Sequence, residues 1–280
     1  MDALAFVKMH GCGNDFVVVD GRRVPIDLSP ELIRRIADRH RGVGFDQLVL
    51  LETASDADLA LRFFNSDGSA ADACGNGTRC AARLLFEEGA TRRIAIRIGE
   101  RRLAAERLDD GRIAVEMGAP ELDWRAVPLA KPCDTLAVPI DLPGLPAPVA
   151  VGMGNPHLVF LVDDVAAVPV QALAPAIQKH PLLPASANVG FAQALGPNLL
   201  RLRVFERGAG LTLACGSGAC AAMVAARRRG LVGAKVRLIL DGGELEVSWT
   251  GEGPVTMAGP TAKVFSGTLD PEFLEHDAGS

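Results

Sequence analysis

Two cysteines stand in the same local sequence, Ala73-Cys74-Gly75-Asn76-Gly77 and Ala214-Cys215-Gly216-Ser217-Gly218. A Gly-x-Gly run after a cysteine lets backbone N–H groups converge on a ligand at the start of a helix without side-chain interference. The same helix end carries roughly half a positive charge, which favours a bound carboxylate and lowers a thiol pKa from its reference near ~8.5. The chemistry such a pair could do is proton transfer at carbon. One thiolate removes an α-proton from one face, and the other cysteine, as thiol, delivers a proton to the opposite face. Charge developing on the substrate carboxylate would be stabilised by the converging N–H dipoles more than the ground state is. No cofactor is expected, pyridoxal included, and no metal.

What must set the two thiols against each other is a duplication of the chain. Gly11-Cys12-Gly13-Asn14 recurs as Gly152-Met153-Gly154-Asn155, and Leu61-Arg62-Phe63-Phe64-Asn65 as Leu202-Arg203-Val204-Phe205-Glu206. The two cysteine motifs lie at the same spacing of 141 residues, which drops to 140 from Cys80 and Cys220 onward. Several matches in one order at one spacing point to two like-folded halves related by a pseudo-two-fold axis.

Each half reads as short strands followed by a helix. Apolar runs at 16–19, 47–51, 59–64, 94–98 and 112–117, and at 158–162, 199–205, 235–240 and 244–249, are bounded by Gly, Asp or Pro and read as strands. Helices are predicted at about 30–39, 77–88, 170–178 and 218–229. Those that follow the two cysteines are small or apolar nearly all round, the profile of a buried helix, and both stop at a glycine, Gly89 and Gly230. The expected fold is therefore α/β (α+β): two pseudo-symmetric halves, each a curled, mostly antiparallel sheet or barrel around one central helix. The halves are expected at 1–118, joined by a C-terminal segment of about 265–280, and at 119–264, with the active site in the cleft between them and Pro143 to Pro148 in the linkage.

The remaining cysteines read differently. Cys80 and Cys220 fall inside the Ala-rich helices and fit small core positions, Cys12 is matched by Met153, and Cys133 has no repeat partner. A zinc site is disfavoured because no Cys-x2-Cys pair occurs and the five histidines are scattered. Polar residues that recur at the repeat spacing make sense as substrate ligands: Asn14 with Asn155, Gln47 with Asn188, and Asn65 with Glu206. Glu206-Arg207 breaks the symmetry, since the first half has Asn65-Ser66 there, and supplies an acid and a guanidinium able to hold ammonium and carboxylate.

Composition bounds the rest. The 280 residues carry a net charge of −5 with Arg scattered through both halves, so the basic stripe of a nucleic-acid binder is missing. The N-terminus lacks a basic and apolar leader, and no uncharged apolar run approaches the ~18 residues of a membrane span, so a cytoplasmic location is expected. Six irregularly spaced cysteines in such a compartment read as thiols. A redox sensor built on a Cys74–Cys215 disulfide is an alternative, but it leaves the paired Asn, Gln and Glu-Arg groups without a role. A thiol hydrolase lacks a readable His-Asn partner for either cysteine.

Over nearly its whole length the chain resembles the diaminopimelate epimerase family. The resemblance is carried by the stretches from Lys8 to Phe16, Arg39 to Gln47, Phe64 to Ser69, Ala73 to Cys80, Gly154 to His157, and Glu206 to Cys220. It implies cofactor-independent interconversion of LL- and meso-diaminopimelate for lysine and peptidoglycan synthesis, usually by a homodimer. It further implies Cys74 and Cys215 as the acid/base pair, with Cys215 the acceptor and Cys74 the donor from LL to meso. Substrate contacts are implied for Asn14, Gln47, Asn65, Gly75, Asn76, Asn155, Asn188, Glu206, Arg207, Gly216 and Ser217, with His157 and Glu206 near the chemistry. Two departures stand out, Leu211 where the family often has Glu and Ser217 where it has Thr. A sister two-cysteine racemase acting on another amino acid, such as histidine, is the alternative within this class.

Overall fold

The computed structural model describes residues 3–71 and 74–275. Ala73 of the first cysteine motif and residues 276–280 of the expected C-terminal contribution lie outside the described residues. The chain forms two compact units, Met1–Val115 with Pro260–Ser280, and Glu116–Gly259.

The first unit begins with β1 (Leu4–Gly11) and β2 (Asn14–Asp20), an antiparallel hairpin closed by Cys12-Gly13, both at positive φ. After α1 (Pro30–Ala37) come β3 (Gln47–Glu52), β4 (Leu59–Asn65) and β5 (Ala70–Ala71). Then α2 (Gly75–Glu87) leads to β6 (Arg93–Ile98), β7 (Arg101–Arg107) and β8 (Ile113–Glu116). The β2–β3 and β4–β6 pairings are parallel and the rest antiparallel. Strands β2 and β3 are covered on both faces, which is why they read as unbroken apolar runs instead of alternating ones. On one face Val17, Val19, Leu48, Leu50 and Phe64 pack on Leu32, Ile33 and Ile36 of α1. On the other lies α2, against β1, β2, β3 and β7. Helix α1 starts as its sequence dictates, with Ser29 Oγ accepting the Leu32 N–H at 3.1 Å and Pro30 in the first turn.

The second unit runs through β9 (Val149–Gly152), β10 (Pro156–Leu161), α3 (Val170–Gln178), β11 (Asn188–Gly196), β12 (Leu199–Glu206) and β13 (Gly210–Thr212). It continues with α4 (Gly216–Arg228), β14 (Lys235–Leu240), β15 (Gly243–Ser248) and β16 (Thr256–Gly259). The pairings reproduce those among β1 to β8 one for one: β10–β11 and β12–β14 are parallel, and β9–β10, β11–β12, β12–β13, β14–β15 and β15–β16 antiparallel. Helix α3 covers one face through Val170, Ala174 and Ile177, and α4 packs against β9, β10, β11, β12, β15 and β16. The 143–148 stretch lies within this unit and is no part of the linkage. Pro148 C=O accepts from Val138 N–H, and Leu142 and Leu145 pack on the core there. The chain then returns to the first unit as β17 (Ala262–Leu269), antiparallel to β1 with Leu4 opposite Leu269, and ends in α5 (Pro271–Glu275).

Both central helices begin two residues earlier than their sequences suggest, because the first glycine of each Gly-x-Gly already takes helical backbone. Both end as predicted. Gly89 and Gly230, at φ 100° and 72°, follow the last turn, and Ala90 N–H and Leu231 N–H reach back to Leu85 C=O and Ala226 C=O, the bonding of a Schellman motif. Among the described residues no helix is long and apolar enough to cross a membrane.

Candidate active site

Each cysteine is the N-cap of its central helix, in extended backbone, so its thiol stands at the mouth of the helix where the first N–H groups lack intrahelical acceptors. The second glycine of each motif is there for space. A Cβ on Gly77 would lie 2.8 Å from Phe63 Cε1, and one on Gly218 would lie 3.0 Å from Val204 Cγ2 and 3.1 Å from Cys215 Sγ. Only glycine lets the helix sit this close to the sheet and to the sulfur.

In the first unit the β1–β2 turn delivers Asn14 to Cys74. Cys74 Sγ–H donates to Asn14 Oδ1 at 3.7 Å, and Asn76 Nδ2 donates to the same oxygen at 3.2 Å. The Cys74 C=O accepts from both the N–H and the hydroxyl of Thr78, each at 2.8 Å, which holds the cap residue. Gln47 and Asn65 are cross-strand partners on β3 and β4, and Gln47 Nε2 donates to Asn65 Oδ1 at 3.0 Å. Asn65 Nδ2 in turn donates to Ser69 Oγ at 3.1 Å.

In the second unit the end of β12 carries the acid. Cys215 Sγ–H donates to Glu206 Oε2 at 3.1 Å, with Ser217 Oγ 3.6 Å from the sulfur and Gly218 N–H donating to it at 3.3 Å. Burial pushes the Cys215 thiol well above its ordinary pKa. The Glu206 charge and hydrogen bond push the same way, while Ser217 and the Gly218 N–H oppose them. The resting group is thus a thiol beside a carboxylate able to take its proton. Thr212 Oγ1 donates to the other Glu206 oxygen at 2.5 Å and orients the acid.

A second group surrounds His157, which faces Asn188 across the parallel β10–β11 pair. Its Nε2 lies 2.8 Å from Asn155 Oδ1 and 3.5 Å from Asn188 Nδ2, and Arg207 N–H donates to Asn188 Oδ1 at 2.8 Å. Burial first, and the Arg207 charge second, push the His157 pKa down to about 3, so the ring is neutral. The Arg207 guanidinium donates to Ala185 C=O.

Within each unit, then, the expected residues fall into hydrogen-bonded groups: Asn14, Cys74 and Asn76; Gln47 and Asn65; Glu206, Cys215 and Ser217; Asn155, His157, Asn188 and Arg207. Gly75 and Gly216 open the helices. Leu211 packs against the core of its unit, on the strand face opposite to Thr212. Thr212 and Asp46, which accepts from Asn14 Nδ2 at 2.9 Å, were missed because their repeat positions hold Ala71 and Ala187, leaving no recurrence to flag them. The six cysteines are thiols, and burial pushes Cys80 up to about 12, which suits a core role.

A sequence model of the diaminopimelate epimerase family matches residues 6–122 and 149–264. The diaminopimelate epimerase of Acidiphilium cryptum is 50% identical over 272 residues, 97% of this chain and 98% of that protein. The diaminopimelate epimerase of Rhodospirillum centenum is 48% identical over 271 residues, 96% and 93% of the two chains. Among solved structures, a Bacillus anthracis phenazine biosynthesis protein of the PhzF family superposes with a TM-score of 0.71 at 18% identity, covering 96% of this chain and 99% of the other. A hydroxyproline epimerase from Agrobacterium vitis with bound trans-4-hydroxy-L-proline gives 0.67 at 17%, covering 97% and 94%. At these identities the structural likenesses establish the fold.

Proposed function

This chain belongs to the diaminopimelate epimerase family, and we propose that it interconverts LL- and meso-2,6-diaminopimelate with Cys74 and Cys215 acting on opposite faces of one α-carbon. It is an amino-acid epimerase serving lysine and peptidoglycan synthesis. The observation that carries the two-thiol mechanism is that cysteines at equivalent repeat positions cap two buried helices, one beside an amide oxygen and one beside a carboxylate.

From LL to meso, Glu206 relieves Cys215 of its proton, and the thiolate takes the α-hydrogen as a proton. The electron pair left on carbon delocalises into the substrate carboxylate, which N–H groups of Gly75, Asn76, Gly216 and Ser217 would hold. The Cys74 S–H bond then breaks as its proton joins the opposite face, leaving Cys74 as thiolate. In reverse the roles exchange. Asn14, Gln47, Asn65, Asn155, Asn188 and Arg207 are the polar groups assigned to the substrate, with neutral His157 supporting the chemistry. The reading includes a cytoplasmic homodimer without nucleic-acid or membrane partners. Exposed Val264 and Phe265 on β17 are consistent with association, and sedimentation as a monomer at micromolar concentration would overturn that part.

The mechanism is tested by proton NMR of LL-diaminopimelate in deuterated water with the reduced enzyme and with Cys74→Ala and Cys215→Ala. Loss of the α-proton signal with formation of meso product, abolished in either variant, is expected. Full turnover by either variant would refute the two-thiol mechanism, and inert diaminopimelate beside turnover of another amino acid would favour the sister racemase.

A further inference from the structure

We propose that Asp46 is a positioning residue that sets which end of the Asn14 amide meets Cys74, and thereby keeps that thiol protonated until substrate is bound. A side-chain amide can present either a donor or an acceptor, and nothing in its shape decides between them. Here a carboxylate decides at one end of the amide, and the Asn76 amide, itself able to turn, follows at the other by donating Nδ2–H to Asn14 Oδ1 at 3.2 Å. Asp46 Oδ2, which can only accept, takes Asn14 Nδ2–H at 2.9 Å and Asp15 N–H at 3.2 Å. Asn14 Oδ1 is therefore turned to Cys74 Sγ, 3.7 Å away, where it can accept from S–H but would repel a thiolate.

Asp46 is itself anchored. Arg39 bridges it, at 2.9 Å to Asp46 Oδ1, to both oxygens of Asp15, at 2.7 and 3.0 Å. Lys8 closes the network on Asp15 and the Gly44 carbonyl. The second unit has no such device, since Ala187 occupies the position equivalent to Asp46 and Asn155 Oδ1 faces His157 instead. The asymmetry suits a resting enzyme in which Cys74 begins as the acid, and in that sense the inference rests on the two-thiol reading.

Other ionisable groups near the start of α2 include Arg79, Cys80 and Arg83 on the helix and Cys12 and His10 at the β1–β2 turn, with Lys8, Asp15 and Arg39 beyond Asn14. Asp46→Asn leaves all of them in place. The Asp46 side chain is 46% exposed, so its charge acts on the sulfur mainly through screened solvent, and the hydrogen bond through Asn14 is the larger influence.

The test is the rate of Cys74 alkylation by iodoacetamide from neutral to alkaline pH, resolved from the other cysteines by peptide mass spectrometry. It is run on the full chain as wild type, Asp46→Asn, Asp46→Glu, Asn14→Ala and the Asn14→Ala/Asp46→Asn double variant. Asp46→Asn frees the Asn14 amide, with that of Asn76, to turn and present Asn14 Nδ2 to sulfur, so Cys74 should be alkylated roughly three- to tenfold faster at neutral pH, with its midpoint lower by roughly half to one unit. Cys215 should not change, Asp46→Glu should stay near wild type, and Asp46→Asn should add nothing once Asn14 is Ala. Unchanged Cys74 reactivity in Asp46→Asn, or the same increase without the Asn14 amide, would overturn the proposal. Should Asp46→Asn fold poorly, Asp46→Ser makes the same test, since its hydroxyl no longer dictates the amide. The outcome is separable from that of the mechanism, because thiol reactivity is read without turnover.

Discussion

At the scale of single residues, the two thiols are held in opposite ways, and the difference is open to measurement. Cys215 is buried against the Glu206 carboxylate, so Glu206→Gln removes both a charge that raises the thiol pKa and the group that would take its proton. The alkylation midpoint of Cys215 should fall, while kcat drops by roughly 10²–10⁴ with a smaller change in KM, the signature of a lost proton acceptor. Thiol reactivity rising as turnover falls separates this from mere loss of structure. His157 offers a stability test. Its pKa of about 3 lies below the ~6.5 of the unfolded chain, so unfolding takes up a proton as pH falls through 6.5, and stability present above that pH is progressively lost toward 3. Between pH ~6.5 and pH ~5 the loss is roughly 2 kcal/mol. Asp15 does not interfere. Desolvation raises its pKa, but Arg39 and Lys8 outweigh it and hold the group at about 2, so its contribution fades only below its unfolded value near ~4. Urea midpoints at the two pH values should show that loss in wild type and much less of it in His157→Gln. An equal loss in both would assign the effect elsewhere.

At the scale of elements, the two central helices depend on glycines for two different reasons, which substitution can tell apart. Gly77→Ala gains up to about 1 kcal/mol in helix propensity. It also drives a methyl to 2.8 Å from the buried Phe63 ring and 3.2 Å from Phe16. Overpacking costs about 1–3 kcal/mol, so net destabilisation is expected together with displacement of Cys74 at the helix mouth. Gly230→Ala meets nothing within 4 Å, and only its φ of 72° is strained. Its cost should be about 1 kcal/mol, with turnover unaffected. Denaturant unfolding beside turnover checks both. The legibility of the elements follows from burial. Strands β2, β3 and β4 were readable as apolar runs because they are covered on both faces. Strands β7 and β17 were missed because charged or exposed positions interrupt them, and β11 because of its glycines.

At the scale of the whole molecule, the return of the chain to its first unit carries the largest consequence. Strand β17 pairs with β1 from Leu4 to His10, and Leu269 and Leu274 enter the same core as Leu4 and Phe6. A chain ending at Gly259 exposes that β-edge and uncovers that core. It should therefore lose cooperative unfolding of the first unit while the second, with a core of its own, keeps protection in hydrogen exchange. Uniform protection of both units in the truncated chain would contradict this.

The amino-acid sequence by itself determined the duplication, the strand–helix grammar of each half, the burial of the two Ala-rich helices and the identity of the paired cysteines. These are one-dimensional properties: recurrence at a constant spacing and hydrophobicity along the chain. It also supplied the motifs that mark the family. Only the tertiary structure decided what each thiol is hydrogen-bonded to. Asp46 comes from the segment before β3 and Thr212 from β13, and neither recurs in the other half. Asp46 acts through a directed hydrogen bond to Asn14 on β2, and Thr212 through one to Glu206 across the β12–β13 pair. Such a bond is set by strand register and turn geometry, and it leaves no trace in spacing or composition. That is why two copies of one sequence pattern became an amide-capped thiol and a carboxylate-paired thiol.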